Sequence, residues 1–293
     1  MIVKKVSLSL LLILFVGIEL TNAQMQRTRA VKDGPVDELF LIGSVAGTST
    51  VTNLEANNLN SLIMHNFGLI SSGIEDFYGL DQGAAVRLGI DYGITDKLSV
   101  GIGRTSIEDN VDLRFKYTLM RQLKSDKVPV EVAIKGDVGI NTQKNRIFDD
   151  FTLQERLNYF ASVMVARQFN DTFTLQIAPM VSHFNTVVIE TVGQPQPEHT
   201  HYALGFAGRL KLGVRNSLTF EYIPVLGDRT EGTENHMAIG YEIETGGHVF
   251  QMFLMSGQWF TEQHLIARNT TDFFAGDFRL GFNVNRVFSL GKK

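Results

Sequence analysis

Three histidines are the residues whose type and spacing best suit metal chemistry. His199 and His201 stand two positions apart in Glu198-His199-Thr200-His201, and His236 begins a later stretch of alternating residues. Residues two apart in an extended chain share a face, and imidazole is a common ligand of zinc, copper and nickel. The alternative is that they are solvated polar residues at a rim. The sequence therefore offers His199, His201 and His236 as candidates and commits to no metal.

Paired carboxylates are the second possible source of chemistry. Glu242 and Glu244 share one face of an alternating stretch, and general acid–base catalysis needs two such groups converging on a substrate. The same spacing is typical of the hydrated polar lining of a barrel. The spacing therefore favours a lining role for Glu242 and Glu244.

A lipid hydrolase would need a serine, a histidine and a carboxylate or amide on one apolar face. His183 has the required phase, but the matching phase of the next stretch offers Thr200 and Tyr202 rather than serine. The chain has no cysteine, which excludes thiol catalysis and cysteine metal ligands. Its glycines lack dinucleotide-binding spacing. We expect no enzyme and no cofactor.

Charged residues alternate with apolar ones in several stretches, as in Val111–Leu119, where apolar positions alternate with Asp112, Arg114, Lys116 and Thr118. This period of two predicts strands with one apolar and one polar face. The polar phase assigns the following charged residues to a lumen: Arg87, Asp91, Asp112, Arg114, Lys116, Glu131, Lys135, Asp137, Arg209, Glu221, Glu242, Glu244 and Arg279, with Arg156, Lys211 and Asp277 in the same phase. The two signs balance, which predicts cross-strand pairing and weak ion selectivity.

Charge also predicts the register of one hairpin. Opposite charges should face each other across neighbouring strands, at about 0.2–1 kcal/mol a pair. That criterion places Lys116 beside Glu131 and Asp112 beside Lys135, with a tight turn near residues 122–125.

Twelve candidate strands follow one another in an unbroken series. They span residues 59–70, 83–93, 97–106, 111–121, 128–140, 155–169, 172–183, 199–212, 217–225, 236–245, 248–259 and 277–289. Short turns follow the even-numbered strands, and mostly long polar segments follow the odd-numbered ones. This asymmetry is typical of membrane barrels, whose short turns are periplasmic and whose longer loops are extracellular.

The lengths of the strands favour lipid, rather than a protein core, around the apolar face. Many run to about 10–14 residues, as a tilted membrane span requires. Aromatics stand near strand ends, including Tyr92, Trp259 and Phe288, as they do at membrane interfaces. Lipid cannot satisfy a free sheet edge, so the strands must close into a ring. We predict an all-β, antiparallel up-and-down transmembrane β-barrel of about 12 strands.

The N-terminus predicts export. Lys4 and Lys5 precede an apolar run, and Thr21-Asn22-Ala23 supplies small residues before a cut, so residues 1–23 read as a cleaved signal peptide. Residues 24–58 read as a periplasmic lead-in that packs into or across the barrel mouth, and residues 59–293 as the barrel. A net charge of −4 gives no basic field for nucleic acid. The predicted location is the bacterial outer membrane.

Several short motifs resemble a known family of predicted outer-membrane β-barrels, a domain of unknown function. They are Phe67-Gly68, Gly79-Leu80-Asp81, Arg87-Leu88-Gly89, Tyr92-Gly93-Ile94-Thr95, the run from Leu98 to Arg104, Gly247-His248-Val249-Phe250-Gln251, Thr261-Glu262 and Gly281-Phe282-Asn283-Val284. The resemblance covers most of the mature chain. It implies a location and an architecture and brings no catalytic residues.

These patterns predict a passive or gated pore for small polar solutes with a charge-balanced lumen. The alternative is a non-conducting structural or interaction barrel with a filled lumen, and a third class is an outer-membrane enzyme such as a lipid hydrolase. The expected partners are outer-membrane lipid and the barrel-assembly machinery, the latter through the C-terminal strand Asp277–Phe288. The solute is not predicted.

Overall fold

A computed structural model of the chain describes residues 33–144, 150–187 and 197–291. The barrel and everything inside it belong to one compact unit that begins at Pro35. The predicted signal peptide, residues 1–23, and the first part of the lead-in, up to residue 32, lie outside the described residues.

The alternating stretches form strands. The strands are β1 Asn58–Leu69, β2 Ala85–Thr95, β3 Leu98–Thr105, β4 Val111–Met120, β5 Glu131–Ile140, β6 Leu157–Gln168, β7 Phe173–Phe184, β8 Thr200–Lys211, β9 Asn216–Ile223, β10 Val225–Leu226, β11 His236–Glu244, β12 His248–Met255 and β13 Arg279–Ser289. Short 3-10 helices occupy Ile70–Ser72, Ile74–Gly79 and Ile107–Asp109, and one α-helix, α1, spans Glu262–Arg268. None of the helices in the described ranges is long and apolar enough to span a membrane.

The sheet closes on itself. Each long strand pairs antiparallel with its neighbours in the chain, and β1 pairs with β13 from Asn58 opposite Ser289 to Leu69 opposite Arg279. The two-residue strand β10 continues β9 past Pro224 and pairs with the same strand, β8. Counting β9 and β10 as one wall position gives twelve positions. The predicted up-and-down barrel of about twelve strands is confirmed.

The two faces of the wall differ as the period of two requires. On β4, Leu113 is 61% exposed whereas Asp112 is 2% exposed. Leu88 and Ile102 on neighbouring strands are likewise more than half exposed. An outward apolar face and an inward polar face are what a bilayer around the barrel demands.

Two rims result from the connections. Tight links such as residues 96–97 and 245–247 join strands at one end, here called the short-turn rim. Longer segments such as residues 70–84 and 256–278 join them at the other end, the long-loop rim. The predicted asymmetry of turns and loops is present. The connection at 121–130 is the longest on the short-turn rim.

The predicted register of the β4–β5 hairpin is wrong. Lys116 lies opposite Lys135 rather than Glu131, and Asp112 lies opposite Gly139 rather than Lys135. Each of these two residues of β4 lies opposite a residue of β5 that is four positions later than the predicted partner.

A register irregularity between Thr118 and Met120 changes the pairing by one residue only, so it does not account for the shift. The observed register sets Arg114 opposite Asp137, an attractive pair. Lys116 can lie opposite a second lysine because its ammonium group donates hydrogen bonds to backbone carbonyl oxygens inside the lumen. A prediction from the two strands alone does not include these acceptors.

The last long loop departs from the predicted strand boundaries. Strand β12 ends at Met255, and the chain then turns inward and forms α1, whose residues Glu262–Ala267 are buried. Trp259, predicted as a membrane-interface aromatic, is instead 4% exposed and stacks on His264 with ring centroids 4.4 Å apart. That assignment is corrected: the indole packs in the lumen filling.

Candidate functional site: the filled lumen

A short hairpin enters the barrel from the short-turn rim. Residues 43–52, the lumen hairpin, turn tightly where Val45 N–H donates to Thr48 O at 2.9 Å, and Ser44 pairs with Ser49. Small residues dominate this stretch, so the hairpin is narrow enough to lie between the walls. Val45, Thr50 and Val51 are at most 1% exposed. The segment therefore occupies the lumen.

The tip of the hairpin binds a carboxylate on the wall. The backbone N–H groups of Gly47 and Thr48 donate to Glu221 of β9, at 3.0 and 2.9 Å for the shorter contacts. His236 Nε2 lies 2.7 Å from Glu221 Oε1, and Gly257 N–H donates to His236 Nδ1 at 3.2 Å. Because Nδ1 accepts, Nε2 carries the proton and donates to Glu221. Glu221 thus joins the hairpin, the wall and the long loop.

Amide side chains satisfy the sides of the hairpin. Gln176 accepts from Val51 N–H and donates to Ser49 O, both at 2.8 Å. Gln251 donates to Ser44 O at 2.9 Å, and Asn283 donates to the carbonyl of Ala46 at 2.9 Å. Buried backbone groups outside a ladder need such partners. These wall side chains therefore hydrogen-bond to the hairpin backbone where a neighbouring strand would otherwise do so.

Lys116 holds the base of the hairpin. Its Nζ donates to the carbonyl oxygens of Thr52 at 2.6 Å, Thr50 at 3.2 Å and Gly43 at 3.3 Å. Three acceptors match the three donors of an ammonium group. This explains how Lys116 can face Lys135 across the strands.

The chain leading to the hairpin is tied to the short-turn rim. Val36 N–H donates to Gln122 O at 2.9 Å, and Pro35 pairs with Leu123. Glu38 forms an ion pair with Arg209 at 3.1 Å. Leu39 and Phe40 are buried. Residues 35–52 thus run from this rim into the lumen.

Helix α1 fills the lumen from the long-loop rim. Glu262 accepts from Ser49 N–H of the hairpin at 2.9 Å and from Lys135 Nζ at 2.7 Å. Lys135 also pairs with Asp137 at 2.8 Å. A Cβ added to Gly47 would stand 2.8 Å from Leu265 of α1. The hairpin and the helix therefore meet inside the barrel.

The wall beside the hairpin carries a chain of ion pairs. Arg87 binds Asp112 through two contacts of 2.5 and 2.7 Å, and Arg114 binds Asp112 at 2.8 Å and Asp91 at 2.7 Å. Gly101 stands opposite both Asp91 and Arg114, and a Cβ there would overlap Asp91 Oδ1. The glycine leaves the space that the Arg114–Asp91 pair crosses.

A cavity of about 210 Å³ remains between the hairpin and this wall. Strands β1 to β5 and β13 line it, together with the hairpin and the start of α1. Its lining extends to Glu55, which is exposed at the short-turn rim. Charged and apolar side chains thus share the lining of the cavity, which extends to that rim.

The other predicted lumen residues share the inward phase. Glu131 and Glu242 are buried, and Glu242 accepts from Gln251 at 2.6 Å. Arg279 donates to Thr271 of the long loop at 3.2 Å. Glu244 is half-buried at the end of β11, at the short-turn rim. The structure joins many of the predicted charges into networks with the lumen filling rather than leaving them along an open channel.

The three candidate metal ligands are not brought together. His199 lies beside His183, with ring centroids 6.2 Å apart, whereas His201 is 1% exposed and lies 3.3 Å from Thr230 Oγ1. His236 is engaged by Glu221. Within the ranges that the structure describes, no group of three or more histidine or acidic side chains is placed to hold a metal ion.

His183 and Thr200, weighed above for a lipid hydrolase, do touch. His183 Nδ1 lies 2.7 Å from Thr200 Oγ1 across the β7–β8 pair. Both side chains lie in the outward phase of the wall.

Sequence reasoning missed the groups that hold the filling. Gln176, Gln251 and Asn283 were not singled out, and α1 was assigned to a loop. A detectable signal existed, since all three amides occupy the polar phase of their strands. Amides offer both donors and acceptors, which suits them to bind backbone rather than water alone.

Solved structures that this chain resembles include two porins and an outer membrane phospholipase. The NanC porin superposes with a TM-score of 0.50 at 7% identity, covering 78% of this chain and 98% of that one. The KdgM porin gives 0.47 at 8% identity, covering 80% and 99%. The outer membrane phospholipase A of Escherichia coli gives 0.39 at 13% identity, covering 78% and 92%. These likenesses concern the fold.

No curated protein matches the sequence significantly. A family profile matches residues 40–288, a span that includes the lumen hairpin as well as the wall. The resemblance noted in the motifs is thereby confirmed. With its closed wall and outward apolar face, the chain belongs to the family described as a membrane-bound β-barrel domain, DUF5777.

Proposed function

We propose that this barrel is a gated pore for small polar solutes and that the structure described here is its closed state. The observation that carries the proposal is the meeting of the lumen hairpin and α1 at Gly47 and Leu265. Each filling element is held in part by hydrogen bonds and ion pairs, which can exchange for water. The porin-like fold of the wall supports a role in passage.

The polar inner wall supports small polar solutes as cargo. Charged and amide groups face inward on β2, β4 and β5 and meet in balanced pairs. A charge-balanced wall lacks the single-sign ring that makes a pore strongly ion-selective. The open state should therefore pass ions of both signs with weak preference.

Single-channel conductance of the refolded barrel in a planar bilayer tests the gate. Deleting residues 36–52 removes the hairpin and should raise conductance well above the wild-type level. Removing residues 24–34 alone is the matched control and should leave conductance low. Because α1 narrows the other side, removing the hairpin and α1 together should raise conductance further.

A second candidate, a non-conducting barrel with a permanently filled lumen, is favoured by one observation. Leu39, Phe40, Val45 and Val51 join the same buried apolar cluster as Met64 of the wall. The deletion variant would support this candidate over the gate if it folds but still fails to conduct. Folding is shown by a change in gel mobility on heating like that of the wild type.

A further inference from the structure

The cavity beside the hairpin is lined by one cross-strand row of the wall. Asn60 lies opposite Asp91, Asp91 opposite Gly101, Gly101 opposite Arg114 and Arg114 opposite Asp137. All five residues line the cavity. The row thus presents an amide, two carboxylates and one guanidinium to whatever occupies this space.

Apart from Glu55 at the exposed end, the charges lining the cavity are engaged with one another or with backbone. Arg87 is bound by Asp112, and Arg114 by Asp91 and Asp112. Lys135 is bound by Asp137 and Glu262, and Lys116 by three carbonyl oxygens. An anionic solute would have to displace a carboxylate or the hairpin to reach a cation. A cationic solute would compete with the arginines and lysines already paired.

Three polar atoms of the lining remain unused. Asn60 Oδ1, Asn285 Nδ2 and Asp137 Oδ1 are buried without a hydrogen-bond partner among the residues that the structure describes. The first two belong to an amide pair, since Asn60 Nδ2 donates to Asn285 Oδ1 at 3.1 Å. If the side-chain amides of Asn60 and Asn285 are both flipped, the pair still has one acceptor and one donor without a partner. Such buried groups cost free energy unless something pairs with them.

We propose that this cavity binds a small, uncharged, hydroxyl-rich solute of about monosaccharide size. A hydroxyl group both donates and accepts, so adjacent hydroxyls can satisfy Asn60 Oδ1 and Asn285 Nδ2 together once the buried amide pair turns towards the cavity. Leu62, Met64 and Phe260 also line the cavity and offer apolar contact to C–H groups. Neutrality of the solute follows from the engagement of the charges. The inference rests on the proposed function, because it names the class of solute that the gated lumen would admit.

The dimensions of the cavity agree with such a ligand. Its 210 Å³ is several times the volume of about 30 Å³ that one water molecule occupies in the liquid. A site for a single ion would be smaller and would gather ligands around one point. Here the unused atoms are spread along the row, since Asn60 and Asp137 stand on β1 and β5.

Binding by the full-length barrel in detergent tests the inference without any measurement of flux. The probes are glucose, glucuronate and glucosamine, which share a ring and differ in charge. Saturation-transfer NMR and calorimetry should show glucose bound at millimolar concentrations and the two charged sugars at least about tenfold weaker. Glucuronate or glucosamine binding as tightly as glucose would overturn the inference, and so would binding of none of the three.

Variants of the amide pair locate the site. Asn60→Leu and Asn285→Leu should each weaken glucose binding about tenfold, the loss expected for one or two hydrogen bonds. Ser182→Ala is the matched control, because Ser182 is buried and inward-facing on β7 but does not line the cavity. If both leucine variants fold and bind glucose as tightly as the wild type, the location of the site is refuted. If neither variant folds, the comparison of the three sugars on the wild-type barrel tests the inference.

The two proposals fail separately. A barrel that conducts after loss of the hairpin but binds no sugar removes only the solute assignment. A barrel that binds glucose but never conducts removes only the gate.

Discussion

The amide nitrogen of Gly47 lies 3.0 Å from Glu221 Oε1, which places the tip of the lumen hairpin on a buried carboxylate of the wall. The same carboxylate accepts from Thr48 N–H at 2.9 Å and faces His236 at 2.7 Å. Hydrogen bonds to an ionised acceptor are about twice as strong as neutral ones. Removal of the Glu221 side chain should therefore loosen the filling.

Glu221→Ala should expose the hairpin. The change leaves two backbone N–H groups and His236 without their acceptor, at about 1–3 kcal/mol for each unsatisfied group. Since the natural chain has no cysteine, Thr48→Cys provides a unique label site. The thiol should react slowly in the wild-type background and at least about tenfold faster with Glu221→Ala. Glu244→Ala, at the rim of the same sheet, is the control, and equal labelling rates in all three would contradict the role of Glu221.

Gly101→Ala should destabilise the barrel. The added methyl group would overlap Asp91 Oδ1 and stand 3.0 Å from Arg114 Nη2, so the Arg114–Asp91 pair must shift. Overpacking of this kind costs about 1–3 kcal/mol. Gly136→Ala on β5 is the matched control, because the nearest atom to its new methyl group is Phe160 O at 3.9 Å. Urea unfolding in detergent measures both, and equal midpoints would show that the space at Gly101 is unimportant.

Lys135→Met should be costly and partly reversible by a second change. The substitution leaves Asp137 and Glu262, which are almost fully buried, without their shared cation. Breaking a buried pair in this way costs about 3–5 kcal/mol. Adding Glu262→Gln removes one of the stranded charges and should recover part of the stability. A double variant no more stable than Lys135→Met alone would mean that the two side chains are not coupled.

Docking of α1 should weaken in acid. Burial lowers the pKa of His264 from 6.5 to about 3, so the docked helix holds this imidazole neutral. An undocked or unfolded His264 takes up a proton as the pH falls below 6.5, whereas the docked one does not. Stability present above pH 6.5 is therefore lost between pH 6.5 and 3, by up to about 1.4 kcal/mol per pH unit.

The only tryptophan of the chain reports on this transition. Trp259 stacks on His264 at 4.4 Å, so its fluorescence should change as the helix leaves. His264→Phe keeps an aromatic ring beside Trp259 and Phe184 but cannot be protonated, and it should flatten the pH profile. Glu108 Oε2 lies 3.9 Å from His264 Nε2, and Glu108→Gln controls for titration of that neighbour. An unchanged profile for His264→Phe would assign the acid response to other groups.

The wall was predictable because each of its strands is constrained by one local rule. Leu113 must face lipid and Asp112 must face inward, so alternation along a single segment reveals both the strand and its faces. Closure followed because lipid leaves no partner for a free edge. These conclusions need no knowledge of which residues meet across the lumen.

The register of β4 against β5 was not predictable from the two strands alone. Lys116 lies opposite Lys135, a repulsive pair in isolation. The hairpin supplies carbonyl oxygens to Lys116, and α1 supplies Glu262 to Lys135. Both partners come from distant parts of the chain, so the balance of charges is decided in three dimensions.

The sequence by itself determined that this protein is a membrane barrel, and it predicted that charged residues of both signs share the inward phase. Only the tertiary structure decided which residues fill the interior. Residues 43–52 and Glu262–Arg268 carry no alternation that marks them for the lumen. Their place is set by hydrogen bonds to Glu221, Gln176 and Lys135, because buried backbone and charge must find partners wherever the closed wall presents them.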